Sequence, residues 1–296
     1  MTFRELSTCF EQVEEASGRL DMTNILADLY DTCSADEASM VSYLIQGRVA
    51  PMFIPAEFNV AEKSLLKVLE SVSETSGKDV DVRNEYSETG DLGLVAETLL
   101  EKIREESSTR SRSIADTYAL FWDVAGISGT GSVEKRESKI AELLGRMSPI
   151  EGRYAMRILA QKMRLGASSK TILDVLSVMK HGDKQGRDDI ERAYGVCSDL
   201  GYVASVYMDK GKTGLDKISL VPGVPVSSML VEREKDAEAI MKRMSKAIVQ
   251  HKYDGIRCQV HVGVDQAEDL SDRVWWKHWE NVAADDALSL LGDDGG

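Results

Sequence analysis

The sequence predicts two kinds of fold in one chain: an all-α part over residues 1–208 and the start of an α+β part over residues 229–263. The five prolines lie only at positions 51, 55, 149, 222 and 225, which leaves long proline-free stretches suited to helices. Within these stretches apolar residues recur at three- and four-residue spacing, the period of a helix with one buried face. In residues 256–262 the period changes to two, which is typical of a strand.

Apolar stripes and capping residues place individual helices. The first stripe consists of Phe3, Leu6, Phe10 and Val13. Asn59 and Glu62 have the spacing of a capping pair, so a helix is expected to begin there. Gly166 predicts a turn, and Ser168 is the expected N-cap of a helix that runs through Val178. A further helix is predicted over residues 236–245.

The helical part contains a weak internal repeat. At a constant offset of 114 residues, segment 26–30 matches segment 140–144 and Ser34 matches Ser148. Segment 90–96 matches segment 198–204 at the slightly shorter offset of 108 residues. Two copies predict a duplicated helical half, because a solenoid needs three or more units.

The chain changes character after the helical part. Residues 209–228 are rich in glycine and proline and are predicted to form a linker. Residues 247–249 and 256–262 are predicted strands on either side of a tight loop, because apolar residues alternate in the second of them. Residues 264–296 form a divergent acidic tail.

Composition excludes several classes of protein. The four cysteines form no CxxC pair, which argues against a disulfide framework and against a zinc site. The chain has no basic and apolar leader and no run of about 18 apolar residues. We expect a cytoplasmic monomer without a membrane partner.

The charge is unevenly distributed along the chain. The formal net charge of −14 argues, by itself, against a nucleic-acid partner. Between Lys135 and Arg187, however, twelve Lys/Arg and five Asp/Glu give +7, so the remainder carries −21. An acidic protein with one DNA-facing surface requires such segregation. Chance clustering on solvated helices explains the charge at least as well.

The loop between the predicted strands reads K-x-D-G-x-R from Lys252 to Arg257. A lysine amine can attack the α-phosphate of ATP and form a phosphoramidate if it is deprotonated and aimed in line. Gly255 would allow a tight turn beside a nucleotide, Arg257 would offer it a cation, and Asp254 would orient the loop. A charged hairpin turn is the alternative, because Asp-Gly is a common turn dipeptide.

This motif resembles the first motif of the covalent nucleotidyltransferases, which include DNA ligases, RNA ligases and mRNA capping enzymes. Upstream segments resemble the N-terminal DNA-binding domain of archaeal and eukaryotic replicative ATP-dependent DNA ligases, and the segment that leads into their adenylation domain. These segments are residues 47–53, 59–67, 131–136, 158–167, 171–176, 192–204 and 225–230. The resemblance covers about residues 1–263 in the expected order. A capping enzyme would leave the long helical domain unexplained.

The resemblance implies an all-α DNA-binding domain followed by the start of an α+β nucleotidyltransferase domain. Lys252 would carry AMP, and Arg257, Asp254 and Gly255 would contact the nucleotide. Gln250 occupies the position of a usual glutamate that helps to recognise adenine. Because its amide adds donors and lacks the negative charge, adenine recognition would be weaker or altered. ATP and Mg²⁺ are the implied cofactors, although this sequence lacks the carboxylates that would hold Mg²⁺.

The resemblance also implies a DNA ligase that seals nicked duplex DNA in replication, repair and recombination, with a sliding clamp as a second candidate partner. The residues expected to contact DNA are Lys162, Arg164, Gly166, Ser168 and Lys170. The helix start after Gly166 offers backbone N–H groups to a phosphate, and the cations add salt-sensitive affinity. Each of these residues could instead be a solvated surface residue.

The resemblance stops near Gly263, and only 44 residues follow Lys252. Arg273 lies near the spacing of the family's second-motif arginine, but its neighbours do not match, so that role is not transferred. Trp275, Trp276 and Trp279 could stack on bases, although burial is the simpler interpretation.

A fragment, or a reading frame altered near residue 263, is the simplest explanation of this short C-terminal part. A split enzyme completed by another polypeptide is less economical. A ligase is therefore the leading functional hypothesis, and the alternative is a non-catalytic module that binds nicked DNA and derives from a ligase.

Overall fold

The computed structural model describes residues 1–78, 80–103, 111–228, 232–256, 258–262 and 270–282. The helices defined within these residues are α1 (Phe3–Glu15), α2 (Arg19–Asp31), α3 (Ala35–Leu44), α4 (Glu62–Ser76), α5 (Val82–Thr89), α6 (Leu92–Ile103), α7 (Ile114–Ala125), α8 (Ser132–Leu144), α9 (Pro149–Leu159), α10 (Ser169–His181), α11 (Arg187–Cys197), α12 (Leu200–Leu215) and α13 (Ala237–Arg243). The predicted all-α fold of the N-terminal part is thereby confirmed. No helix in the described ranges is long and apolar enough to cross a bilayer.

Several helices begin where the sequence predicts. The predicted stripe of α1 is buried along its whole length, and Thr2 with Glu5 forms a capping box at its start. Ser168 is the N-cap of α10 and accepts a hydrogen bond from the Thr171 amide at 3.4 Å. Asp236 likewise caps α13, at the start of the helix predicted there.

The predicted capping pair at Asn59 is wrong. Helix α4 does begin at Glu62, but its N-cap is Ala61 and no side chain caps it. Asn59 has a positive φ of 48° and its amide donates to the carbonyl of Glu57 at 3.2 Å. The Glu62 carboxylate instead accepts hydrogen bonds from Tyr86 and Lys162, so it does not return to the helix start.

The two predicted strands are not formed. Residues 247–249, 256 and 258–262 have no strand assignment, and Ile256, Val260 and Val262 are 94%, 86% and 88% exposed. A strand needs a neighbouring strand for its backbone groups and a surface that buries its apolar face. None of the described residues supplies either to this segment. The predicted linker also begins inside a helix, because α12 continues to Leu215 with a break at Gly211.

The internal repeat is visible as a pseudo-symmetric arrangement of helices. Ser34 and Ser148, at the offset of 114 residues, are the N-caps of the corresponding helices α3 and α9. Helices α6 and α12 correspond at the offset of 108 residues. The two most extensive helix contacts join α3 to α12 and α9 to α6. Each of these two contacts therefore joins one helix of the first half to one helix of the second half. The two halves pack together as one folding unit.

Equivalent glycines allow both of these helix pairs to pack closely. A Cβ atom on Gly93 of α6 would lie 2.7 Å from the carbonyl oxygen of Arg153 in α9. A Cβ atom on Gly201 of α12 would lie 2.2 Å from the Tyr43 ring of α3. Both distances are shorter than real Cβ contacts, so neither position accepts a side chain without displacement of its neighbour.

Residues 270–282, which we call the docked segment, pack against the helical domain. Trp275 is fully buried, while Trp276 and Trp279 are half-buried. The interpretation of these tryptophans as buried residues is therefore confirmed for Trp275 in full and for the other two in part.

Candidate nucleic-acid interface

The loop between α9 and α10 holds most of the residues predicted to contact DNA. Three of its residues have a positive φ: Gln161 (54°), Arg164 (58°) and Gly166 (65°). Two of them are not glycine, and such residues keep this conformation only where the surroundings enforce it. Met163 and Leu165 supply that constraint, because both are buried between the exposed positions. The result is a rigid loop whose alternate residues face solvent.

All five residues predicted to contact DNA are exposed. The Lys162 ammonium lies 2.5 Å from Glu62, an exposed ion pair that joins the loop to the start of α4. Arg164 donates to the carbonyl of Gly90 at 2.5 Å, and its Nε lies 3.4 Å from Asp91. Lys170, on the first turn of α10, forms no ion pair with any residue that the structure describes.

The start of α10 is partly occupied by its own cap. Ser168 accepts from the Thr171 amide, and the Ser168 amide donates to the Thr171 hydroxyl at 3.1 Å. The Thr171 amide is thus already used by the protein. A phosphate at this helix start would therefore depend more on cations and less on backbone N–H groups than the sequence predicts.

The predicted surplus of positive charge is mostly neutralised in the fold. Arg153 and Arg157 are turned inward, and Arg157 is only 2% exposed. Its guanidinium lies 2.6 Å from Glu14 and 2.6 Å from Asp91. Lys139 pairs with Asp123 and Arg187 with Glu191, and both of these carboxylates lie outside the segment that was counted. The local charge of +7 counted along the sequence is therefore not the charge of one surface, because residues distant in sequence cancel much of it.

Asp91 is the buried carboxylate that fixes this loop to the core. It accepts from the Gly93 amide at 2.8 Å at the start of α6, from Arg157 of α9, and lies beside Arg164 of the loop. Burial alone would raise the pKa of Asp91, but Arg157, the Gly93 amide and Arg164 together lower that pKa. Burial would likewise lower the pKa of Arg157, and the carboxylates of Glu14 and Asp91 raise it instead. Both groups are therefore charged at neutral pH.

A second loop, which the sequence reasoning did not assign to DNA contact, meets the first. Gly47 follows α3 and has a φ of 66°, and a Cβ atom on it would lie 3.1 Å from the Cα of Gln161. Gly47 and Gln161 correspond at the repeat offset of 114 residues, as do Arg48 and Lys162. Nearby Met52 is 78% exposed. The repeat was thus the signal that could have identified residues 46–53 as part of the same surface.

The residues predicted to bind a nucleotide are not held in place as the α9–α10 loop is. Gln250, Lys252, Asp254 and Gly255 are all exposed, in a segment without regular secondary structure. Arg257 lies outside the described residues. The following stretch lies along the linker, where the Gln259 amide pairs with both backbone groups of Val226, at 2.9 and 2.6 Å. Among the residues that the structure describes, no group of three His, Cys, Asp or Glu side chains could hold a metal ion.

The comparisons with known proteins agree with this architecture. A family model described as "DNA ligase N terminus" matches residues 2–177. A probable DNA ligase of Dictyoglomus turgidum is 36% identical over 261 residues, which cover 88% of this chain and 44% of the relative. A DNA ligase of Saccharolobus solfataricus is 32% identical over 284 residues, which cover 93% of this chain and 47% of the relative. The chain thus spans less than half the length of these relatives. Because the family model covers more than half of the chain, the protein belongs to the DNA ligase family, whose N-terminal region it matches.

Proposed function

We propose that this protein binds nicked duplex DNA as the N-terminal region of an ATP-dependent DNA ligase. The observation that carries the proposal is the rigid α9–α10 loop, which directs Lys162 and Arg164 to solvent while Met163 and Leu165 anchor it. Phosphate contacts of this kind position a protein on DNA without reading the sequence. A ligase needs such contacts, because a nick can occur at any sequence.

Binding requires Lys162 to exchange its present partner for a phosphate. Its ion pair with Glu62 is exposed on both sides, and exposed pairs contribute at most about 1 kcal/mol. The exchange therefore costs little. Arg164 remains half-exposed while Gly90 and Asp91 orient it, so its guanidinium is already fixed before DNA arrives.

For the chemistry, we propose that the Lys252 amine attacks the α-phosphate of ATP and displaces pyrophosphate. The AMP then passes to the 5′-phosphate at the nick, and attack by the 3′-hydroxyl seals the backbone and releases AMP. Family resemblance and the K-x-D-G-x-R sequence support this proposal. We assign no step to Mg²⁺, because the described residues do not form a metal site.

A non-catalytic module that binds nicked DNA is the second candidate function. The full exposure of residues 250–256 favours it, because an adenylation site must enclose the nucleotide and hold it in line with the amine. The two candidates share the DNA surface and differ only at Lys252.

The DNA surface is tested by the salt dependence of binding to a labelled nicked duplex, measured by fluorescence anisotropy. The double substitution Lys162→Ala and Arg164→Ala is expected to reduce the slope of log K against log salt by about 2, because each lost phosphate contact removes about 0.9. Glu62→Gln is expected to strengthen binding, since it releases Lys162. Lys102→Ala is the matched control, because Lys102 lies at the opposite end of α6 from Asp91, about 16 Å along the axis. An unchanged slope in the double variant contradicts the proposed surface.

The chemistry is tested with α-labelled ATP and denaturing electrophoresis. A labelled protein band that disappears in Lys252→Ala and persists in Lys246→Ala supports adenylation at Lys252. The absence of any band, with binding to nicked DNA intact, supports the non-catalytic module.

A further inference from the structure

Asp199 is the counterpart of Asp91 at the repeat offset of 108 residues, and it is equally buried. Each carboxylate lies at the start of a corresponding helix. Asp199 accepts from the Tyr202 amide at 3.0 Å and caps α12, while Asp91 accepts from the Gly93 amide at the start of α6. Both halves therefore bury one negative charge at the same place in the fold.

The two halves differ in the residue that faces this carboxylate. Arg157 faces Asp91, and Tyr43 occupies the corresponding position, 114 residues earlier, opposite Asp199. The Tyr43 hydroxyl donates to Asp199 at 2.5 Å but brings no charge. A buried carboxylate without a cation is costly, so the Asp199 half requires a positive charge from elsewhere.

The docked segment supplies that charge. Arg273 Nη1 lies 2.7 Å from Asp199 Oδ2, and the Trp275 indole donates to the same oxygen at 2.9 Å. Arg273 also lies over the Tyr202 ring, 4.1 Å from its centroid. Burial alone would lower the pKa of Arg273, but Asp199, with smaller contributions from Cys197 and Tyr43, raises that pKa. The two carboxylate oxygens of Asp199 thus accept from four donors, which belong to Tyr43, Tyr202, Arg273 and Trp275.

The docked segment also packs against the helical domain at positions other than Arg273. Trp275 packs edge-on against Phe53 at 6.3 Å between centroids. His278 stacks on Trp122 at 5.6 Å with an interplanar angle of 10°. Val282 packs over Gly126, where a Cβ atom would lie only 2.7 Å from its methyl group. The helical domain thus offers a carboxylate, three aromatic surfaces and a glycine gap in one continuous site.

We propose that the surface built around Asp199 is a recognition site for an Arg-x-Trp segment, and that residues 270–282 of the same molecule occupy it. The occupant is the chain itself because both ends of the intervening stretch reach the same helix start. Ser227 donates from its amide to Gly195 at 2.9 Å, and its hydroxyl lies 2.8 Å from that of Ser198, next to Asp199. Ser227 on one side of Lys252 and Arg273 on the other therefore contact adjacent positions of the domain.

The test uses the full chain and hydrogen exchange of the amides in residues 270–282. Arg273→Met keeps the length of the side chain but removes its charge. The protection of these amides is expected to fall by at least about 100-fold, because the substitution leaves the buried Asp199 carboxylate without its cation. Amides of α6 and α9 should keep their protection. Lys277→Met is the matched control, since Lys277 is exposed on the same segment. Unchanged protection in Arg273→Met overturns the proposal.

A second variant separates recognition by Asp199 from general packing. When Asp199→Asn is already present, adding Arg273→Met should lower the protection of residues 270–282 by less than about threefold, because no negative charge remains at position 199 for Arg273 to neutralise. If Asp199→Asn does not fold, Trp275→Phe replaces it. That variant keeps an aromatic ring, lacks the indole donor, and should lower protection by about tenfold.

Occupation within one molecule is tested by dilution with light scattering. A monomer whose segment stays protected at all concentrations supports the proposal. A dimer that loses this protection on dilution overturns it, because a second copy would then be the occupant. No DNA enters either experiment, so the result is independent of the proposed function.

Discussion

The two halves of the helical domain meet the same electrostatic requirement in different ways. Around Asp91 the counter-charge is built into the repeat, because Arg157 belongs to the helix that packs on it. Around Asp199 the corresponding residue is Tyr43, and the cation comes from Arg273, more than seventy residues further along the chain. The carboxylate lies at the start of a helix in both halves, whereas its counter-charge comes from a different part of the chain in each.

Removal of Arg157 is expected to have the largest effect on stability. Arg157→Met leaves Glu14 and Asp91 without the guanidinium they share, and removal of one partner of a buried pair costs about 3–5 kcal/mol. Arg273→Met should cost less of the global free energy of unfolding, because the docked segment can detach while the helices stay packed. Urea denaturation followed by circular dichroism measures both. Equal losses would show that the two halves do not differ in this way.

A side chain at the helix crossings is expected to have an intermediate effect. Gly93→Ala and Gly201→Ala should each cost about 1–3 kcal/mol, because the new Cβ atom would overlap Arg153 or Tyr43. Gly195→Ala is the matched control, since open space surrounds that helical position, and it should stabilise the protein by about 0.5–1 kcal/mol. Thermal unfolding of the three variants gives the comparison. If Gly195→Ala also destabilised the protein, the losses in Gly93→Ala and Gly201→Ala could not be assigned to overlap with a neighbouring helix.

A change of pH is expected to have the smallest effect, confined to the Asp199 half. Burial lowers the pKa of His278 below its ordinary value of 6.5, Lys277 adds to the shift, and Asp123 opposes it. The docked form therefore favours neutral histidine, and docking weakens as the pH falls through 6.5 and below. Protection of residues 270–282 should fall a few-fold between pH 7.5 and 5.5, after correction for intrinsic exchange. His278→Phe keeps the stack on Trp122 and should abolish this dependence. A dependence that persists in His278→Phe would assign the titration to another group.

The helical part could be predicted well because its signals are local. The stripe of α1, the Ser168 cap and the start of α13 depend on residues within a few positions of each other. The repeat could also be found, since it needs only a constant offset. The capping role of Asn59 was predicted wrongly because the Glu62 carboxylate accepts hydrogen bonds from Tyr86 and Lys162 instead. Lys162 lies 100 residues away in the sequence.

The candidate site was harder to predict because charge and pairing are properties of the folded chain. The exposure of Lys162, Arg164 and Lys170 agrees with their predicted position on a surface. The burial of Arg157 could not be predicted from its neighbours, since its partners Glu14 and Asp91 lie far from it in the sequence. The strand prediction at residues 256–262 failed for a similar reason, because alternation describes a face that only a neighbouring strand can cover.

The contact between Gly47 and Gln161 has a mechanical consequence. A Cβ atom on Gly47 would lie 3.1 Å from the Cα of Gln161 and 3.6 Å from the Cγ of Met163, so the two corresponding loops are closely packed at this point. A ligand that pushes on one loop must therefore move the other. We therefore expect the loops of the two halves to shift together when a ligand binds to either of them.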